Sequence, residues 1–230
     1  MIRALLVTGT DTGIGKTIVT AGLAAALVRR GVDVGVMKPF ATGATRVRGR
    51  LVSDDVEFLR RESGVRDPLE QINPICLEPP LAPSMAARIS KQKIDLRKAT
   101  RAFRALKAAH STLLVEGVGG LLVPLLTRFT VAHLARRWKL PLVIVARPGL
   151  GTLNHTGLTV HAGRSFGLRV LGIVINHATP SRRGLAERLN PAALEEETGV
   201  PVLGEVPFLG ARPNKLRHRV FDRIAASLFS

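Results

Sequence analysis

The chain has 230 residues, of which 46% are hydrophobic and 22% charged, and this composition excludes a disordered protein. Its formal net charge of +17 predicts attraction to phosphates, acidic metabolites or nucleic acid. The alternative is that the charge reflects only a solvated basic surface without a specific partner. A single cysteine, Cys76, excludes an intrachain disulfide. Because no stretch approaches the roughly 18 apolar residues of a membrane span, we expect a cytoplasmic protein without membrane contact.

Short aliphatic runs alternate with helical patterns along the chain. Strands are predicted at Ala4–Val7, Val32–Met37, Leu113–Glu116, Leu142–Ala146, Val170–Asn176 and Val202–Val206. Helices are predicted near residues 16–30, 54–63, 83–90, 95–110, 130–138, 152–166 and 191–199. The proline-rich segment Pro74–Pro83 is predicted to be a loop. The alternation predicts an α/β fold in which a mostly parallel sheet carries helices on both faces, as a single domain over residues 1–230.

A glycine-rich loop follows the first predicted strand and opens the first helix. Residues 7–17 read Val-Thr-Gly-Thr-Asp-Thr-Gly-Ile-Gly-Lys-Thr. In a phosphate-binding loop, glycines let backbone N–H groups converge on the phosphates, a lysine reaches the β/γ-phosphates and a hydroxyl binds Mg²⁺. Lys16 and Thr17 are the residues of those types, although five residues separate Gly9 from Gly15 where the usual loop has four. The context predicts a P-loop NTPase-type fold that uses ATP.

Further polar residues lie where strands end, which is where ligands gather in open α/β sheets. Glu116 ends a predicted strand before a glycine run, and a carboxylate there suits Mg²⁺. Asp54 and Asp55 open a helix, either as metal ligands or as a helix cap. Lys38 closes the second strand, either as a second cation for a transferred phosphoryl group or as a surface lysine.

Several segments together resemble the dethiobiotin synthetase family, in order and over nearly the whole chain. They are Val7–Thr17, Lys38–Gly43, Val115–Gly120, Ala146–His155, Asn176 and Gly204–Pro207. The resemblance implies an ATP- and Mg²⁺-dependent ligase of biotin biosynthesis. Its substrates would be 7,8-diaminononanoate and CO₂ or bicarbonate, and its products dethiobiotin, ADP and phosphate.

The resemblance also implies roles for individual residues. Thr12, Lys16 and Lys38 would be the catalytic residues. Thr17, Glu116 and one of the paired aspartates would hold Mg²⁺; Asp55 is favoured because its spacing to Leu59 matches the family's helix. The implied ATP-binding residues are Gly13, Ile14, Gly15, Lys16, Thr17, Asp55, Glu116, Gly117, Val118, Gly119, Asn176, His177, Glu205, Val206 and Pro207.

Substrate binding is assigned by the same resemblance to Thr42 and to the segment Gly151, Thr152, Leu153 and Asn154. In a homodimer, that segment of one subunit would face the phosphate loop of the other. A free helix N-terminus there would bind the substrate carboxylate. The chain departs from the family's common residues at Gly13, Ser84 and His133.

Two other classes of protein share the loop. One is a chromosome-partitioning-type ATPase whose basic surface binds DNA, but that group carries an early lysine in the loop where this chain has Asp11. The other is a P-loop scaffold that has lost catalysis, which the intact Lys16, Thr17, Lys38 and Glu116 disfavour. Nucleic acid is therefore not expected as a partner.

Overall fold

The computed structural model describes residues 2–180, 184–210 and 215–229. The strands are β1 (Ala4–Gly9), β2 (Val34–Met37), β3 (Phe40–Ala41), β4 (Thr45–Val47), β5 (Arg50–Val52), β6 (Ile75–Cys76), β7 (Thr112–Gly120), β8 (Pro124–Leu126), β9 (Phe129–Thr130), β10 (Leu142–Ala146), β11 (Val170–Asn176) and β12 (Val202–Val206). The helices are α1 (Lys16–Arg29), α2 (Asp54–Ser63), α3 (Leu69–Ile72), α4 (Pro83–Ile89), α5 (Leu96–Ala109), α6 (Val131–Trp138), α7 (Thr152–Ser165), α8 (Leu185–Thr198) and α9 (Arg219–Phe229).

Six strands form a central sheet in the order β12-β11-β10-β1-β7-β2, and each neighbouring pair is parallel. Every residue of β1 and β10 is buried, which explains why these strands read as unbroken aliphatic runs. The predicted α/β class is confirmed. Because the strands are parallel, the segments that follow them emerge at one edge of the sheet, and the glycine-rich loop after β1 lies there.

Side chains alternate across β1 and build a core on each face of the sheet. Leu5 and Val7 pack on the face that carries α1 and α9. Leu6 packs on the opposite face, with α5 and α6. There the rings of Phe103 and Trp138 stack with their centroids 4.3 Å apart. The sheet is therefore fixed from both sides by aliphatic and a few aromatic contacts.

Two predicted strands have different bounds in the structure. Glu116 was expected to end its strand, but β7 continues to Gly120, which pairs with Gly9 after a register shift. Glu116 therefore lies inside the sheet, and the residue is only 1% exposed. The second strand begins at Val34, because the Val32 N–H donates to the Leu27 carbonyl and so belongs to the end of α1.

The helix predicted at residues 191–199 is wrong at its start, since α8 begins at Leu185 and contains Pro191. A proline commonly marks the first helical position, which is why the pattern misleads. The actual start is capped by the Glu187 carboxylate, which accepts from the Gly184 N–H at 2.9 Å. The loop predicted at Pro74–Pro83 contains the two-residue strand β6, which pairs with β3.

Several short elements and one terminal helix were not predicted. The short elements are α3 and the hairpins β4–β5 and β8–β9. The terminal helix α9 packs against α1 through the fully buried Phe221. No helix among the described residues combines the length and apolarity needed to cross a bilayer.

His133, one of the departures from the family's residues, has a local role at the start of α6. Its Nδ1 accepts from the Thr130 backbone N–H at 3.1 Å and lies 3.0 Å from the Thr130 hydroxyl. A glutamate at this third helical position makes the same return bond in a capping box. The His133 side chain therefore closes the capping box that a glutamate or glutamine usually closes.

Candidate active site

The loop between β1 and α1 depends on two glycines with left-handed backbone. Gly13 has φ +73° and Gly15 has φ +88°. A Cβ on Gly15 would meet the Asn176 amide nitrogen, which donates to the Ile14 carbonyl at 2.8 Å. Asn176 is 3% exposed and ends β11. The loop is therefore anchored from β11 at a point where only glycine leaves room.

The first two helical residues carry the loop's functional groups. Lys16 is buried, and its ammonium donates to the Asp11 carbonyl at 2.9 Å. Burial lowers the pKa of Lys16 to about 8, against the attraction of Glu116. The Thr17 hydroxyl donates to Glu116 Oε1 at 2.8 Å. The helix start thus places one cation and one hydroxyl beside the same buried carboxylate.

Lys38 lies at the centre of the polar cluster. Its ammonium is 2.7 Å from Glu116 Oε1 and 2.5 Å from Asp55 Oδ2. The side chains of Lys38 and Glu116 are 6% and 0% exposed. Burial opposes the charge of Lys38, but the carboxylates of Glu116 and Asp55 outweigh it and raise the pKa of Lys38 above its usual value. The group is a buried cation, not a surface lysine.

Mg²⁺ fits the oxygen atoms of this cluster. Thr17, Glu116 and Asp55 supply a hydroxyl and two carboxylates. Glu116 Oε2 is buried and has no hydrogen-bond partner among the residues that the structure describes. In the described part of the chain, no three His, Cys, Asp or Glu side chains form a metal cage. Mg²⁺ typically takes one or two carboxylates together with substrate phosphates and water, so this donor set suffices.

A cavity of about 510 Å³ unites the cluster with the glycine loop. It is lined by the predicted residues Thr12, Gly13, Gly15, Lys16, Thr17, Lys38, Thr42, Asp55, Glu116, Gly117, Val118 and Gly119. Sequence reasoning did not assign Ile18 and Phe58, and it left Asp54 open between ligand and cap, yet all three line the cavity. Asp55 is the member of the acidic pair whose carboxylate reaches Lys38. Phe58 follows Asp55 by one helical turn, a spacing that could have indicated it.

A second cavity of about 260 Å³ adjoins the first and shares Gly13, Gly15 and Ile18 with it. The predicted residues Asn176, His177 and Pro207 line it, and so do Phe208 and Leu209, which were not predicted.

The remaining residues assigned to ATP lie behind or beside this second cavity. The Ile14 side chain is buried, and the Ile14 carbonyl accepts the hydrogen bond from Asn176. Val206 is fully buried within β12. Glu205 lies with its oxygen 3.6 Å from His177 Nε2 and borders a different depression, beside α8 and α9. Of the three predicted residues Glu205, Val206 and Pro207, only Pro207 lies past the carboxyl end of β12. The second cavity lies at that edge of the sheet.

Residues 151–154, the segment predicted to bind the substrate carboxylate, lie at the start of α7. Among the described residues, this segment does not line the first cavity of the same chain. Gly151 has φ +84°, and Thr152 is buried with its hydroxyl 3.4 Å from that of Thr156. Leu153 and Asn154 are exposed, and Leu150 is 89% exposed. At the start of α7, the Thr152 N–H donates to the Gly149 carbonyl at 3.2 Å, and no side chain among the described residues caps the helix.

The curated relatives of this chain that are most useful for comparison share one name. A family model described as an AAA domain matches residues 3–212. The ATP-dependent dethiobiotin synthetase BioD of Bacillus licheniformis is 42% identical, with 99% of this chain and 95% of the relative covered. That of Thermodesulfovibrio yellowstonii is 41% identical, with 91% and 90% covered. That of Anaeromyxobacter dehalogenans is 48% identical over 78% of each chain.

Solved structures similar to this one carry other names. The MinC:MinD cell division complex of Aquifex aeolicus matches with a TM-score of 0.58 at 16% identity, covering 98% of this chain and 95% of that one. The septum site-determining protein MinD of Pyrococcus horikoshii, complexed with Mg-ADP, matches at 0.56 and 19% identity, covering 100% and 97%. At these identities the likeness extends to the fold alone.

Proposed function

The chain belongs to the family of ATP-dependent dethiobiotin synthetases, and we propose that the cavity around Lys16, Lys38 and Glu116 is where it binds Mg·ATP. The relatives' names favour this activity over a chromosome-partitioning ATPase. The observation that carries the site assignment is the buried Lys38, which contacts Asp55 and Glu116 while Glu116 also accepts from Thr17. Buried charges are costly, so a cluster like this one points to chemistry rather than stability.

The reaction implied for the family has three steps. One amine of 7,8-diaminononanoate adds to CO₂ and loses a proton, which gives a carbamate. A carbamate oxygen attacks the γ-phosphorus of ATP, and ADP leaves. The second amine attacks the carbonyl of the mixed anhydride, which closes the ureido ring and releases phosphate. Negative charge moves between the carbamate and the phosphoryl oxygens throughout, so fixed cations are the main catalytic need.

Each residue of the cluster has a role in that scheme. Lys16 and Lys38 would neutralise phosphate and carbamate charge, and the Thr12 side chain at the cavity wall would add a donor. Thr17, Asp55 and Glu116 would hold Mg²⁺, which supplies further charge neutralisation at the phosphates when bound. Thr42, on the same wall, would contact the diamine. The second cavity would bind the adenine between Asn176 and residues 207–209.

The substrate carboxylate needs a site of its own, and the exposed start of α7 has the right chemistry. Free N–H groups and the helix dipole favour an anion there. Because this segment does not line the first cavity of its own chain, we propose a homodimer in which it serves the partner's cavity. We also propose that CO₂ is the co-substrate and that the protein acts in the cytoplasm.

Phosphate release in the presence of ATP, Mg²⁺, diaminononanoate and bicarbonate tests the assignment. We expect Lys16→Ala to lower the rate by about 10²–10³-fold, because removing one group that stabilises developing charge in a transition state usually has an effect of that size. A circular dichroism spectrum and melting curve confirm that the variant is folded. A second arm replaces diaminononanoate with DNA and should release no phosphate. Near-normal release by folded Lys16→Ala would end the assignment.

A further inference from the structure

An ion pair joins the phosphate loop to the neighbouring strand. Arg147, the first residue after β10, donates from Nη2 to Asp11 Oδ2 over 2.6 Å. The strands that precede the two residues are paired in parallel, with Gly9 opposite Val145. The Thr10 N–H also donates to the Val145 carbonyl at 3.0 Å. The pair thus extends the contact of β1 and β10 beyond the ends of both strands.

Asp11 is the point through which this contact reaches the catalytic cation. Its Oδ1 accepts from the Thr12 N–H at 2.7 Å, and its carbonyl accepts from the Lys16 ammonium at 2.9 Å. Arg147 therefore holds the side chain of the residue whose backbone holds Lys16. Movement of Asp11 would displace the acceptor that fixes the ammonium in the cavity.

A comparison within the chain separates position from simple stabilisation. Arg29 and Asp222 form a pair of the same 2.6 Å length and similar exposure, between α1 and α9. Exposed pairs of this kind contribute little to stability. Arg147 differs in what its acceptor touches, and its buried Nε has no hydrogen-bond partner among the described residues.

We propose that Arg147 is a positioning residue for the ATP site, which holds Lys16 in line with the phosphates by fixing Asp11. The inference rests on the proposed function, because it assumes that Lys16 contacts the nucleotide. It adds a residue outside the phosphate loop and outside both cavities. It also links the loop to the stretch of chain that leads from β10 to Gly151 and the start of α7.

The test measures the dissociation constant for ATP without the other substrates, then KM and kcat, in a double-mutant cycle. Arg147→Gln and Asp11→Asn should each weaken ATP binding about threefold to fivefold, the effect of up to about 1 kcal/mol. Asn keeps an oxygen for the Thr12 N–H. The double variant should bind ATP as the single variants do, because both changes break one chain of contacts. Arg147→Lys should recover part of the loss.

Arg29→Gln is the matched control, which should alter the melting temperature as much as Arg147→Gln does but leave ATP binding unchanged. The inference is overturned if folded Arg147→Gln binds ATP normally, if the losses in the double variant multiply, or if Arg29→Gln weakens ATP equally. The proposed function fails separately, if Lys16→Ala keeps normal phosphate release. Loss in Lys16→Ala with normal ATP binding in Arg147→Gln would remove only the role of Arg147.

Discussion

At the scale of single residues, the cluster around Lys38 combines a high desolvation cost with incomplete pairing. Lys38 and Glu116 are almost fully buried, and one oxygen of Glu116 has no hydrogen-bond partner in the described part of the chain. Taking each ion out of water costs several kcal/mol, which a single ion pair rarely repays. The arrangement is understandable if the same carboxylates also serve Mg²⁺ and the lysine also serves phosphate. The cost in stability is then the consequence of preorganised charge.

The Mg²⁺ ligands can be separated by titrating Mg²⁺ against the rate of phosphate release. Glu116→Gln keeps the shape of the side chain and loses its charge, so we expect its half-saturating Mg²⁺ concentration to rise more than its KM for ATP. Asp55→Asn should behave similarly. Asp54→Asn, which changes the adjacent residue on the same cavity wall, is the matched control and should have a smaller effect. An unchanged half-saturation point for Glu116→Gln would make Glu116 structural.

A histidine far from the cavity predicts a pH-dependent contribution to stability. His110 is the C-cap residue that follows α5, and its ring nitrogens lie 2.7 Å from Asp33 and 3.0 Å from Asp67. Burial opposes its charge, but the bonds to these carboxylates outweigh burial and raise the pKa of His110 above 6.5. The imidazolium therefore stabilises the fold fully below about pH 6.5, the unfolded value, and loses this effect as pH rises through the folded value.

We expect His110→Gln to reduce the free energy of unfolding more at pH 5.5 than at pH 8.5, because only the protonated histidine attracts both aspartates. Urea unfolding at the two pH values measures the difference. His161→Gln, at an exposed position of α7, is the control and should show no such dependence. Equal destabilisation by His110→Gln at both pH values would mean that the contact acts through packing alone.

At the scale of elements, the contact between α1 and α9 fixes the helix that carries Lys16 and Thr17. Phe221 of α9 is fully buried, and its ring lies against Gly22 of α1 so closely that a Cβ there would be 2.4 Å from it. Any larger residue at Gly22 would push the two helices apart. Helix α9 thus supports α1 from beside it on the same face of the sheet, where Val220 and Ile224 of α9 also lie over Gly204 of β12.

Phe221→Ala should lower the free energy of unfolding by about 3–5 kcal/mol, the usual cost of removing a buried aromatic ring from a core. Val28→Ala, at a position of α1 that is 48% exposed, is the control and should change stability by less than about 1 kcal/mol. Chemical denaturation of both variants provides the comparison. A small loss in Phe221→Ala would show that α9 contributes little to the fold.

At the scale of the whole molecule, the homodimer proposed above predicts that each active site is built from two chains. Mixing Lys16→Ala with a variant that carries Gly151→Ala and Asn154→Ala should partly restore activity, because a mixed dimer then has one site with both defects and one with neither. Mixing Lys16→Ala with Lys38→Ala is the control, since each site of that dimer keeps a defect. If the subunits are folded and exchange without any recovery, each site is built within one chain.

The basic charge of the molecule has no single structural cause. Cations cover exposed faces of several helices, and those of α5 lie opposite its buried residues Ala99, Phe103 and Leu106. Within the described residues, Lys16 and Lys38 are the cations buried in the catalytic cavity. In the proposed function, these two buried cations act on the substrates, and the net charge of the molecule has no role.

The sequence alone was sufficient for the features that depend on neighbouring residues. The order of β1, glycine loop and α1 is recognisable because a phosphate loop is one continuous segment whose hydrogen bonds are local. The α/β class followed from aliphatic runs that alternate with helical patterns, since burial on both faces removes polar residues from a strand. The roles proposed for residues such as Thr42 and Asn154 come from the family resemblance and stay predictions.

Tertiary structure alone decided which distant residues meet. Lys38 and Glu116 are separated by 78 positions, and only the pairing of β2 with β7 brings their side chains together. The same holds for Arg147 and Asp11, for Phe208 in the second cavity, and for the extension of β7 to Gly120. Local patterns report which face of a segment is buried, but contacts between segments depend on register and packing, which no single segment encodes.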